Sequence, residues 1–160
     1  MNKLWAPWRK SYILKHPVSK CFICRIKASS QDAKNFILKR SHYSFAVLNI
    51  FPYNNGHMMI TSNRHVDGLE KLKDQELLDL LQLMNQITVH IKKTLKPQGL
   101  NIGINLGHVA GAGVPGHVHI HIVPRWSGDT NFMPVVANTK VLSESLRSVY
   151  QRLKGSRLKK

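Results

Sequence analysis

His117, His119 and His121 alternate with Val118, Ile120 and Ile122. In a strand, successive side chains point to opposite faces, so residues two apart line one face. The three imidazoles then share a face, about 7 Å apart at each two-residue step, and the three apolar side chains face a core. A helix would scatter the rings around its circumference, so the alternation predicts a strand. An imidazole has a pKa near 6.5 and is mostly neutral at physiological pH. It then offers one lone pair for attack or metal binding and one N–H to donate. Burying three of them demands a partner for every ring nitrogen. The readings left open are a metal site, an acid–base or nucleophilic site, or both. Each of the other six histidines, taken singly, reads as an ordinary core or surface residue.

Two further stretches carry chemistry. Cys21 and Cys24 are the only cysteines and stand in a Cys-x-x-Cys spacing, which in a reducing compartment reads as redox or metal-binding rather than as a disulfide framework. Gly107, Gly111, Gly113 and Gly116, with Pro115, fill the connection before the triad. Such a loop either lets backbone amides approach a phosphate or is simply a flexible hairpin loop. The chain carries 24 Lys and Arg against 8 Asp and Glu, a formal charge of +16. That field attracts polyanions such as nucleotides and nucleic acids, and the same excess also serves solubility. The basic tail, 154–160, lacks the interleaved aromatics of a single-strand stacking platform.

The elements that must position these residues follow from periodicity. The 160 residues suit one domain, 1–160, with an N-terminal arm over 1–20 and the tail over 154–160. No apolar run is long enough to span a membrane, and Arg9, Lys10 and Lys15 interrupt any signal-peptide core, so the expected location is cytoplasmic. Leu4, Trp5 and Trp8 around Pro7 should pack on the domain or on a second subunit. Short strands are predicted at 36–38, 44–50 and 57–61, the last two joined by the turn signal Pro52-Tyr53-Asn54-Asn55-Gly56. A long helix follows, its apolar stripe read as Leu77, Leu81, Met84, Ile87, Ile91 and Leu95, widened by Leu78, Leu80 and Thr88. Asp74 and Glu76 open it, Lys92, Lys93 and Lys96 close it, and Pro97 stops it. A strand at 101–105 precedes the triad strand, which Pro124 should end or mark as an edge. A last amphipathic helix runs from about Ser143 to Leu153. This order predicts an α+β domain with an antiparallel sheet, one long and one C-terminal helix.

The His-x-His-x-His run, followed by Pro124-Arg125, resembles the signature of the histidine triad (HIT) family, and Gly56-His57 after the turn resembles a second block of that family. The start Leu4-Trp5-x-Pro7-x-Arg9 and the stretch Ser127–Met133 resemble a bacterial and archaeal branch linked to phosphorolysis and hydrolysis of dinucleoside polyphosphates. The resemblance implies a HIT-like fold that pairs as a homodimer through the long helix and a sheet edge. It puts the nucleophile on His119, which would form a covalent nucleotidyl-histidine at the α-phosphorus, with His121 donating to a phosphate oxygen or leaving group and His57 supporting the triad. Asn49 matches a ribose-binding position and Asn105 a phosphate-contacting one. The backbone around Gly113 would face phosphate, and Phe22, Leu48 and Ile50 are candidates for an apolar base pocket. It also implies a structural zinc held by Cys21, Cys24, His65 and His117, and no organic cofactor.

One departure from the family pattern bears on the acceptor. Many relatives carry a Ser or Thr shortly before the triad, whereas residues 111–116 here hold neither hydroxyl nor amide side chain. The absence favours water over phosphate. Three functions compete: cleavage of dinucleoside polyphosphates such as diadenosine tetraphosphate; cleavage of a nucleoside phosphoramidate or a 5′-adenylated end; and a module that only binds nucleotide or nucleic acid.

Overall fold

Apolar runs at 44–48 and 58–62, buried on both faces, build the middle of the sheet. The computed structural model describes residues 21–137 and 139–156, so the arm with Trp5 and Trp8 lies outside the described residues. In chain order the elements are α1 (Phe22–Ala28), β1 (Ile37–Arg40), β2 (Ser44–Leu48), β3 (Met58–Ser62), a 3-10 turn (Leu69–Lys71), α2 (Asp74–Leu95), β4 (Gly99–Ile104), β5 (His119–Arg125), α3 (Met133–Val136) and α4 (Leu146–Gly155). The five strands form one antiparallel sheet in the order β1-β2-β3-β5-β4. The α+β expectation holds. The short helix α1 around the cysteines has no counterpart in the expectation, because seven residues give too little periodicity to read. No helix among the described residues is long and apolar enough to cross a membrane.

The sheet has two differently used faces. Ala46, Leu48, Met58, Ile60, Ile120 and Ile122 face α2 and α4 and form the main core with Leu80, Leu83, Ile87 and Ile91. Each Leu, Ile or Met side chain among them, fully buried, contributes about 1.5–3 kcal/mol. Phe45, Val47 and Met59 face the other way and pack with Ile23 and Ile26 of α1. This alternation corrects one expectation. Leu48 pairs with Met58 and belongs to the helix-side core, so it cannot serve a base pocket on the opposite face.

A second correction concerns α2. The buried stripe is Leu80, Leu83, Ile87, Ile91 and Leu95, while Leu78 and Leu81 remain 58% and 39% exposed. The N-terminal half of α2 is apolar at so many positions that a stripe one residue off fits the 3.6-residue period almost as well. Its ends behave as expected: the Glu76 carboxylate accepts from the Lys73 N–H at 2.8 Å, and Lys96 closes the helix in the left-handed region at φ 49°.

Pro124 neither ends β5 nor marks an edge. It pairs with Leu100 inside a strand flanked by β3 and β4. The pairing with β3 stops at Ile122, and the Pro124 carbonyl accepts from Asn54 Nδ2 at 2.9 Å on that vacated side. N–H and C=O of one strand residue point the same way, so the N–H that proline lacks would have met no strand partner. The turn that supplies Asn54 depends on Gly56, which sits at φ +72° and so close to Leu95 Cδ1 that a Cβ would collide with it.

Candidate functional site

β5 brings His119 and His121 to the face opposite the main core, their rings 4.8 Å apart edge to face. His117 precedes the strand. Its N–H closes a turn on the Val114 carbonyl at 3.1 Å, and its ring joins a different cluster. The expected row of three therefore divides into a pair of imidazoles and a third with separate partners.

Hydrogen bonds fix the protons of the pair. A carbonyl can only accept, so His119 Nδ1, 2.8 Å from the His117 carbonyl, carries a proton and donates it. In the neutral ring Nε2 of His119 then holds the lone pair. In the turn just before β3, His57 Nδ1 accepts from the Tyr53 N–H at 3.0 Å. His57 Nε2 is thus the protonated nitrogen and donates to His121 Nδ1 at 2.9 Å, which leaves the His121 proton on Nε2. The two adjacent rings present opposite functions: a lone pair on His119, a donor on His121. Burial favours the neutral form of His57 and of His119. It lowers the His57 pKa to about 3, helped by the His121 and His119 rings nearby. It also lowers that of His119 against the opposing pull of the His117 carbonyl.

Both rings line a cleft of about 1000 Å³. One wall is apolar, made by Phe22 of α1, Ile50, Phe51 and Tyr53 after β2, and Met59 and Val123 on the strand face shared with the histidines. The floor includes Gly111, Gly113 and Val114 of the loop before β5. Asn49 lines the cleft with its amide oriented by the turn: Oδ1 accepts from the Phe51 N–H at 2.9 Å, and Nδ2 lies 3.4 Å from His57 Nδ1. Thr130, Pro134, Thr139, Lys140 and Leu142 make the far wall. Asn105 does not line the cleft; its amide reaches the Gly111 carbonyl at 3.5 Å, holding the loop instead. Met59, Val123, Arg25 and Lys140 were not anticipated. Strand alternation would have found the first two, since Met59 pairs with His121 and Val123 is two residues on from it.

Cys21, Cys24, His65 and His117 form the second cluster, with their ligand atoms all within 4.8 Å of one another. The Nδ1 atoms of His65 and His117 are 3.3 Å apart, Cys21 Sγ lies 3.4 Å from His117 Nδ1, and Cys24 Sγ lies 3.4 Å and 3.5 Å from the two Nδ1 atoms. Tetrahedral zinc with ordinary Zn–N and Zn–S bonds separates its ligands by roughly 3.3–3.8 Å, so the donor types and spacings fit. His117 Nε2 donates to the Ser62 carbonyl at 2.8 Å, turning the Nδ1 lone pair toward the sulfurs. Burial holds the His117 pKa near 4, in the neutral form a ligand needs.

Residues 30–128 match the family model for the HIT domain. The chain is 34% identical over 161 residues to an AP-4-A phosphorylase of Mycobacterium tuberculosis, covering 96% of this chain and 83% of that protein. It is 37% identical over 93 residues to the asymmetrical bis(5′-nucleosyl)-tetraphosphatase of Schizosaccharomyces pombe, covering 58% of this chain and 50% of that protein. Its fold matches the crystal structure of a zinc-bound histidine triad family protein from Mycobacterium smegmatis with a TM-score of 0.67 and 23% identity, over 85% of this chain and 91% of that one.

Proposed function

Because this chain belongs to the histidine triad (HIT) family, we propose that it is a nucleotidyl-transferring enzyme that cleaves dinucleoside polyphosphates such as diadenosine tetraphosphate at the α-phosphorus. The observation that carries the reading is the pair of fixed tautomers, a His119 Nε2 lone pair beside a His121 Nε2–H. Nε2 of His119 attacks the α-phosphorus, the bridging P–O bond breaks, and ATP leaves with the electron pair. His121 donates a hydrogen bond to the departing or non-bridging oxygen, and the product is adenylyl-His119. Splitting one hard displacement into two is what a nucleophilic side chain contributes. The apolar wall takes the base, Asn49 meets the ribose, and backbone amides near Gly113 stabilise charge developing on phosphorus. His57 acts through His121 by holding its tautomer.

The acceptor in the second step is inorganic phosphate, which gives ADP. The likeness over nearly the whole chain to an AP-4-A phosphorylase supports this choice. The lack of a hydroxyl at 111–116 supports water instead, which would give AMP. Product analysis on diadenosine tetraphosphate with and without added phosphate decides: ATP plus ADP in proportion to phosphate is expected, ATP plus AMP at every phosphate concentration makes the enzyme a hydrolase, and intact substrate removes the proposal.

Cys21, Cys24, His65 and His117 would hold zinc, whose role there is to cross-link α1 to the sheet. Both the donor geometry and the zinc in the Mycobacterium smegmatis relative support that reading. The homodimer is likewise a proposal: β4 is an edge strand with Ile102 exposed, and sedimentation as a monomer at micromolar concentration would remove it.

A further inference from the structure

The cleft is lined by three cations, Arg25, Arg125 and Lys140, and by no carboxylate among the described residues. Two of the cations are engaged. Arg125 forms a two-pronged pair with Asp129 and also donates to Asn101 Oδ1 at 2.9 Å. Lys140 donates to the Asp129 carbonyl. Arg40, Arg64 and Arg152, elsewhere in the chain, also pair with carboxylates. The Arg25 guanidinium has no hydrogen bond or ion pair among the described residues.

Arg25 sits on a helix that is anchored by its apolar residues. It lies three residues after Phe22 on α1, so the two share a helix face, and both line the cleft. Ile23 and Ile26, on the adjoining side of α1, are buried in the second core, where Phe22 and Val114 also pack. Cys21 and Cys24 tie the same helix to His65 and His117. The helix is therefore held in place, and Arg25, an exposed residue, lines the same cleft as Gly113 and Val114.

We propose that Arg25 forms a subsite for the phosphates beyond the scissile bond, the oligophosphate tail of a nucleoside tri- or tetraphosphate group. This rests on the proposed function for the identity of the bond that breaks. A guanidinium offers two parallel N–H donors that match two phosphate oxygens, and the absence of a competing carboxylate leaves those donors to the ligand. Arg25 then distinguishes long polyphosphates from nucleotides with one phosphate, and holds the leaving ATP rather than the adenylyl group.

Calorimetric binding of ATP and AMP to the wild type, Arg25→Gln and Arg25→Lys tests the subsite independently of turnover. Wild type should bind ATP roughly tenfold or more tighter than AMP, as charge-assisted hydrogen bonds of this kind contribute. Arg25→Gln should bring the ratio close to one, chiefly by weakening ATP, and Arg25→Lys should restore part of it. In turnover, the ratio of kcat/KM for diadenosine tetraphosphate to that for adenosine 5′-phosphoramidate should fall about tenfold in Arg25→Gln, mainly through KM. A Gln variant that keeps the wild-type ATP to AMP ratio, or weakens both nucleotides equally, overturns the subsite. If wild type turns over neither substrate, the proposed function fails while the binding ratio still decides for or against Arg25.

Discussion

Asn54 Nδ2 donates to Asp129 Oδ2 at 2.7 Å, joining two turns that are 75 residues apart in sequence. The same carboxylate takes Arg125 and the Trp126 N–H at 3.1 Å, and the same amide holds the Pro124 carbonyl. The Asn54 carbonyl in turn accepts from the His57 N–H at 3.2 Å. The turn that holds His57 against His121 is thus anchored to the far wall of the cleft through one aspartate.

Asp129→Ala should lower unfolding free energy by about 1–3 kcal/mol, reduced from the value for a fully buried pair because Arg125 is half-exposed. Urea denaturation measures it. Activity should fall as well, and rescue by Asp129→Asn should be partial, since an amide keeps one acceptor but loses the charge. A variant as stable and active as wild type would show that the anchor is dispensable.

His119→Ala should lose turnover by a factor on the order of 10³ or more while AMP binding stays within a few-fold, because the ring acts chiefly in the transition state. Wild type given diadenosine tetraphosphate and denatured at alkaline pH, where the P–N bond of a nucleotidyl-histidine survives, should carry one adenylyl adduct by mass spectrometry, and the variant none. Wild-type turnover in the variant would end the nucleophile assignment.

Freshly purified, chelator-free protein should contain about one zinc per chain, and Cys24→Ser should contain almost none. Zinc-binding free energy is folding free energy in a site of this kind, so the variant should melt at lower temperature. Its kcat should fall less than that of His119→Ala. Metal analysis of the wild type is the decisive measurement, and a metal-free, fully stable protein would refute the site.

His57 has a folded-state pKa of about 3 because of burial, against about 6.5 when unfolded. Between those values the unfolded chain binds a proton that the folded chain does not, so stability rises with pH. The contribution is complete above pH 6.5 and is lost as pH falls toward 3. His57→Gln should flatten the stability profile between pH 6.5 and 4.5. His117 and His119, whose pKa values burial also lowers, share this window with His57, and the acid loss below about pH 4 belongs to carboxylates such as Asp129, whose folded pKa of about 2 comes first from the Arg125 hydrogen bond. An unchanged slope in His57→Gln would assign the upper window to another group.

Gly56→Ala should cost roughly 2–4 kcal/mol, combining a positive φ with a collision against Leu95. Chemical denaturation reads the loss. A neutral effect would mean that the turn relaxes without disturbing His57.

Strand alternation made the face of His119 and His121 legible, and Cys-x-x-Cys together with the triad resemblance made the Cys21, Cys24, His65 and His117 cluster legible. What was hidden depended on partners far along the chain. Leu48 has the right chemistry for a base pocket, and only its register against Met58 shows that it faces the wrong way. Pro124 looks like a strand terminator until the pairing of β5 with β3 is found to stop at Ile122. Asn105 reads as a substrate contact, yet its reach is taken up by Gly111. The division of the triad could not be read either, because His117 leaves the strand face only where the Val114 turn forces it to.

The cluster at α1 has a consequence for the order in which the chain emerges during synthesis. Cys21 and Cys24 meet a ligand only 41 residues after Cys24, at His65, and the set closes only at His117, 96 residues after Cys21. The apolar seat of α1 on Ile37, Phe45, Val47 and Met59 is complete much earlier. A growing chain therefore carries two neighbouring thiols on a partly docked helix for the time it takes to add more than half of its residues. Only the arrival of His117 brings the four side chains of the cluster together, after α1 has already met its apolar seat.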